Sequence, residues 1–272
     1  MTRHTVRRRF PAPLTFAVAL GVLTTSGCPH PASPIPRLAG VEPADLLARL
    51  QVAWDKPRQA VGLVLLEYLA SDGFFRGEAD VAVQRPRNLR IELRSFFGQP
   101  AGALVCDGRR YTFVDNTRAI SQSGPLDDPA LRALLPLGLD ATTTVSLLLG
   151  GLPALGPGST SYIKPQRPPH LALRHDDEAG RWLLELDDRA ERLLQVEHQD
   201  SRGDLRFRAR FDGADSRGTV RFSRKGEVEV RGRAGAVSWA WKDVELDGEA
   251  LPAEAWQLNL PGSSSDDDQS ED

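Results

Sequence analysis

A mainly β fold, a large antiparallel sheet or barrel of about 11 to 12 strands with a few helices, is what three observations in this chain predict. Between Gly73 and Val114 apolar and polar residues alternate, the period-two mark of strands with one buried face. From Leu171 to Val244 further runs recur at about 8 to 12 residue spacing, separated by Ala179-Gly180, Arg202-Gly203, Arg217-Gly218 and Lys225-Gly226 turns. Between the two sets lie two leucine-bearing segments of helical spacing, which need an apolar face to cover.

The N-terminus bears on the compartment. Arg3, Arg7, Arg8 and Arg9 precede the apolar run Leu14 to Leu23, and the small residues Ser26-Gly27 lead to Cys28. That run is far short of the ~20 apolar residues that span a bilayer, so residues 1–27 read as a signal peptide. The segment resembles a bacterial lipoprotein signal, whose cysteine becomes the acylated first residue of the mature chain; it departs from that pattern at Thr25, and a plain secreted protein is the alternative. Pro29 rather than Asp follows Cys28, which by the same resemblance implies a lipid-anchored protein on the outer membrane, facing the periplasm. Residues 28–40 are a Pro-rich tether, residues 41–261 the folded domain, and residues 262–272 an acidic tail whose composition predicts disorder. Loss of residues 1–27 removes four arginines and no acid, taking the net charge from -3 to -7. No basic excess points to nucleic acid. With Cys28 acylated, Cys106 is the one thiol left, and its apolar strand marks it as a small buried hydrophobe.

Within the domain, Glu42 to Trp54 reads as a helix: Pro43 suits its first turn and Leu46, Leu47, Leu50 and Trp54 share a face, with Pro57 ending it. Val61 to Leu69 is the first strand. In the next, Phe75, Gly77, Ala79, Val81 and Val83 fall on one side; then Leu89, Ile91 and Leu93 alternate with Arg90, Glu92 and Arg94. Arg110 to Val114 and Arg118 to Ser123 complete a meander of about six strands. Asp128-Pro129 caps a helix carrying Leu131, Leu134 and Leu135; Ala141 to Leu149 forms another, with Val145, Leu148 and Leu149 on one face and Gly150-Gly151 stopping it. Residues 153–169 are a Gly/Pro-rich connection. Strands then resume as Leu171 to Arg174, Trp182 to Leu186, Leu193 to His198, Leu205 to Phe211, Thr219 to Ser223, Glu227 to Arg231 and Val237 to Val244.

One connection breaks the rule that turns are polar. Ser95-Phe96-Phe97-Gly98 carries two adjacent phenylalanines. Burying one is worth roughly 1.5–3 kcal/mol, so both rings need a bilayer, a partner or the end of the sheet to rest against.

The order of these pieces resembles the LolB outer-membrane lipoprotein receptor and its soluble relative, the carrier LolA. The residues are the meander ending Asp107-Gly108 to Phe113-Val114-Asp115, the Ser95-Phe96-Phe97-Gly98 loop, the helix running out through Leu147-Leu148-Leu149-Gly150-Gly151-Leu152-Pro153, and the closing Leu251-Pro252, Trp256, Leu258, Leu260-Pro261. The resemblance implies an open, incomplete antiparallel barrel with a helical lid over an apolar cavity. It implies that acyl chains of lipoproteins are received there, with a LolA-like periplasmic carrier as a partner, and delivered to the outer membrane by a monomer. The membrane-contact loop becomes Phe96 and Phe97, with Phe97 at the family's protruding apolar position. The cavity lining becomes Phe75, Gly77, Ala79 and Val81 with Leu89, Ile91, Leu93 and Ala103, and the lid Leu131, Leu134, Leu148 and Leu149. Small residues on the lining equally suit tight helix-on-sheet packing. No arginine is matched to the latch that closes the carrier's lid.

Other constellations carry less. There is no G-x-S-x-G elbow, H-E-x-x-H or P-loop, so no catalytic residue, metal or cofactor is expected. His175-Asp176-Asp177-Glu178 reads as a turn, Asp212-Gly213-Ala214-Asp215 lacks the downstream ligand of a calcium loop, and Arg206, Arg208 and Arg210 read as a solvated row. A structural or assembly lipoprotein with a filled core, docking a protein partner through the Phe96-Phe97 loop, is the competing function.

Overall fold

A computed structural model describes residues 40–70, 73–95, 98–135, 138–167, 170–217, 220–232 and 235–258. The expectations for residues 1–39, Phe96, Phe97 and the tail lie outside them. No described helix is long and apolar enough to cross a membrane.

The chain forms a 13-stranded antiparallel sheet that is not closed into a barrel. Helix α1 (Pro43–Trp54) leads into β1 (Gln59–Ala70), β2 (Gly73–Gln84), β3 (Asn88–Arg94), β4 (Pro100–Asp107), β5 (Arg110–Asp115) and β6 (Ile120–Pro125), a meander that steps outward from β1 to one edge. Helices α2 (Pro129–Leu134) and α3 (Ala141–Leu148) follow, and β7 (Ser159–Ile163) forms the opposite edge. Strands β8 (Leu171–Asp177), β9 (Gly180–Leu186), β10 (Leu193–Gln199), β11 (Leu205–Arg217), β12 (Val220–Val230) and β13 (Gly235–Leu246) step back until β13 pairs with β1. The connection from β6 to β7 therefore has to run from one edge of the sheet to the other. It carries α2 and α3.

The helices start and stop as the sequence dictates. The Asp128 carboxylate accepts from Ala130 N at 2.8 Å, and Asp140 accepts from Thr143 N at 2.9 Å, each satisfying an orphan donor of a first turn. Gly150 ends α3 with φ +74°, and a Cβ there would lie 2.9 Å from the backbone nitrogen of Ser223. Only glycine permits that turn and that approach to β12 together.

One apolar cluster joins the helices to one face of the sheet. Leu46, Leu47, Leu50 and Trp54 of α1 and Leu131, Val145, Leu147, Leu148 and Leu149 of the α2–α3 region pack with Val64, Leu66, Ala79, Val81, Leu89, Ile91, Leu184, Phe207, Trp239 and Trp241. We call this the helix-covered face; alternate residues point to the outer face. A smaller cluster there seats Trp256, from a 3-10 turn at Ala253–Trp256, on Ala82 and Val105.

Three expectations are corrected. Residues 153–169 are not all connection: Ser159–Ile163 pairs with β8 as an edge strand. Lys225-Gly226 is not a turn but the interior of β12, with Gly226 opposite Phe211 and Trp239. The last strand of the first meander begins at Ile120, because the Asp115 carboxylate accepts from Thr117 N and Arg118 N and holds those residues in the turn.

Candidate functional site

The described side chains singled out as cavity and lid lie on the helix-covered face, Ala103 excepted. Ala79, Val81, Leu89 and Ile91 are buried there in one cluster with Leu131, Leu148 and Leu149, while Leu93 and Leu134 are half-buried against it. Gly77 pairs with Leu66 and is partly exposed. Phe75 pairs with Tyr68 in β2, and its side chain lies outside the described residues. Ala103 does not belong with them: Leu104 and Cys106 take the helix-covered side of β4, so Ala103 faces outward opposite Glu92.

Arg85 ties this face together. Its side chain is 9% exposed; Nε donates to Pro57 O at 3.1 Å, Nη2 to Trp54 O at 2.9 Å and Nη1 to Ser146 Oγ at 3.1 Å, with Asp55 at 3.4 Å. One side chain thus satisfies the last carbonyl of α1 and holds α3 beside it. Burial pulls its pKa below the ordinary value, Asp55 opposing and Arg58 adding to the shift.

The outer face carries a cleft of about 760 Å³. Cross-strand pairing lines up Glu67, Ser238, Glu227, Arg210, Gln195 and Glu185, with Leu65, Ala240, Lys225 and Asp212 in the next row. The short Ser238 and Ala240 line it, and so do Asp187, Asp188 and Arg192 from the segment after β9. A second outer cleft, of about 740 Å³, lies between Val61, Leu63 and Ala82 and the Leu251–Ala255 segment, which Arg90 clamps by donating to Ala255 O and Gln257 O.

No family model matches the chain, and no curated protein does. Solved structures do. A LolA superfamily protein from Nitrosomonas europaea superposes with a TM-score of 0.54 at 13% identity, over 80% of this chain and 98% of its own. The fold is LolA-like. A domain described as an outer membrane lipoprotein-sorting protein, from Vibrio parahaemolyticus, matches with a TM-score of 0.52 at 6% identity, over 77% of this chain and 94% of its own. A DUF1329 family protein from Desulfovibrio piger reaches 0.57 at 8% identity, over 78% and 97%.

Most of the charged groups singled out in the sequence are paired in the sheet. Arg208 bonds Glu197 at 2.7 Å, Arg210 reaches Glu229 at 3.1 Å and Arg206 Asp200 at 3.1 Å, so the arginine row is paired in place. His175 is buried; its Nδ1 is hydrogen-bonded with Thr160 Oγ1 and its Nε2 with Gly156 O, both at 3.0 Å, while Asp177 Oδ1 accepts from Ala179 N and Gly180 N to make the turn. His198 stacks on Trp182 at 4.0 Å, and burial lowers its pKa. Among the described residues no group of three His, Cys, Asp or Glu could hold a metal ion. Sequence reasoning missed Arg85 in this LolA-like fold. Its partners lie 28, 31 and 61 residues away, and no local pattern announces them.

Proposed function

We propose that this chain is a lipid-anchored protein of the outer membrane, attached through Cys28 and facing the periplasm. It takes the acyl chains of lipoproteins between its sheet and helices, receiving them from a LolA-like carrier and yielding them to the membrane through Phe96 and Phe97. It works as a monomer, without catalysis or cofactor. The observation that carries this reading is the LolA-like sheet whose edge-to-edge connection lays α2 and α3 over an apolar face. A chain buried there gains roughly 0.8 kcal/mol per methylene, and a bilayer that holds it better makes delivery downhill without a nucleotide.

A second reading, an assembly lipoprotein that docks a protein partner without lipid transfer, is favoured by a different observation. Leu131, Leu148 and Leu149 are at most 4% exposed, so the described lid lies closed on its core, and clefts of about 760 and 740 Å³ open on the outer face. Saturable binding of a fluorescent acylated peptide by the Cys28→Ser chain separates the two. Binding, with lipoproteins accumulating in the periplasm of cells carrying Phe97→Glu, supports delivery; no binding and no accumulation from a folded variant contradicts it.

A further inference from the structure

A buried N–H that has left water and found no acceptor costs about 1–3 kcal/mol, so cores rarely contain one. Trp239 and Trp241 each contain one. They are 2% and 3% exposed on the helix-covered face of β13, and neither indole Nε1 has a partner. Two residues apart in one strand, they project side by side with Cα atoms roughly 6–7 Å apart.

Packing accounts for the rings and not for the nitrogens. Phe211 meets Trp239 edge-on, centroids 6.3 Å apart at 79°, and Phe222 meets Trp241 at 6.0 Å. Gly226 leaves bare backbone under the six-membered ring of Trp239. A phenylalanine at either position would bury a similar carbon surface with no stranded donor. Two more groups of the same interior have no partner: Thr144 Oγ1 of α3, 1% exposed, and Trp182 Nε1 of β9, 5% exposed, whose ring is stacked on His198 away from the β13 pair.

We infer that Trp239 and Trp241 are specificity-determining donors of the acyl site, giving their indole N–H groups to the carbonyl oxygens of an ester-linked diacylglycerol unit. This rests on the acyl-binding reading above and adds which chains are taken. Indole N–H is a neutral donor that cannot accept, so it suits a neutral carbonyl. It supplies no counter-charge, so a free carboxylate pays its full desolvation on entering. An ether-linked chain of equal length fills the same space and leaves both donors bare. The diacylglycerol ester belongs to lipoproteins and phospholipids alike.

The test uses the Cys28→Ser chain, its Trp239→Phe and Trp241→Phe variants, and three probes: a fluorescent diacylglyceryl-cysteine peptide, its dialkyl ether counterpart, and a diacyl phosphatidylethanolamine as competitor. Circular dichroism and urea midpoints establish that the variants are folded. One hydrogen bond is worth about fivefold, so with two donors the diester binds about twenty-five-fold over the diether. Each Trp→Phe costs the diester about fivefold and the diether nothing. Whichever diester competes better is the source of the ligand, and the loss must follow the ester in both. Equal losses for ester and ether, or no preference in the parent chain, overturn the inference while acyl binding stands. Failure of every probe to bind overturns both.

Discussion

Replacing Gly226 by alanine places a methyl group where the Trp239 ring already lies. An ideal Cβ at residue 226 would stand 2.2 Å from Cζ2, 2.4 Å from Cη2 and 2.7 Å from Cε2 of that ring. Carbon atoms rest at about 3.5–4.0 Å, so the indole must lift by more than about 1 Å. It is 2% exposed and has Phe211 against it, which leaves little slack. Overpacking of this kind costs about 1–3 kcal/mol, and the better backbone preference of alanine in a strand returns about 0.5 kcal/mol. A net loss of about 1.5 kcal/mol in a domain of this size lowers the thermal midpoint by roughly 3–6 °C. Thermal and urea unfolding of Gly226→Ala, Trp239→Phe and the double variant measure it. The smaller Phe ring vacates the added methyl's space, so the pair should be more stable than the sum of the single losses by about 1 kcal/mol. An alanine variant that melts with the parent, and a coupling of zero, would mean that the ring does not sit on β12.

The other predictions concern groups whose surroundings are equally definite. Arg85→Leu leaves Trp54 O, Pro57 O and Ser146 Oγ without their donor and should cost about 2–4 kcal/mol, with amide exchange of α3 accelerated ahead of the central strands; uniform exchange would show that Arg85 does not hold α3. Cys106 is fully buried, and burial with the nearby Asp107 charge raises its pKa to about 12, so in Cys28→Ser it should ignore a thiol reagent at neutral pH until urea unfolds the chain. Asp187 is pushed up by burial, yet the N–H of Glu191, the Arg192 guanidinium and the Arg192 N–H together hold it below the ordinary carboxylate value. A depressed folded pKa contributes stability that is complete above the unfolded value and lost as pH falls through the folded one. The urea-midpoint gap between the parent and Asp187→Asn should therefore be constant from about pH 5 to pH 8 and shrink below about pH 4; a gap unchanged at about pH 3 would refute that assignment.

Alternation exposed the strands because each has one wet and one dry face: Ala79, Val81 and Val83 against Glu78 and Asp80 can be sorted by eye. The Asp128 and Asp140 caps were similarly local. What failed was whatever depends on a distant partner. Gly226 looks like a turn residue because glycine permits turns, and only the ring of Trp239, supplied by another strand, explains it inside β12. Strand β7, Ser159–Ile163, is short, polar and set among glycines and prolines, so the pairing that defines it leaves little trace in composition. Ala103 was assigned to the wrong face because Ala101, Gly102 and Ala103 are all small, and the alternation that fixes the side resumes only at Leu104. The candidate site was half legible for the same reason. Tryptophan at 239 and 241 announces buried rings, while the absence of any acceptor for their nitrogens is a property of the assembled core.

The central claim is that an acyl chain lodges on the helix-covered face and not in the outer cleft. A diacylglyceryl peptide with a photoreactive group along one acyl chain, bound to the Cys28→Ser chain, irradiated and mapped by mass spectrometry, addresses it directly. Labels on Ala79, Leu89, Ile91, Leu147 or Trp241 are the predicted result. Labels confined to Leu65, Ser238 and Ala240, or none that an unlabelled acylated peptide displaces, would contradict it.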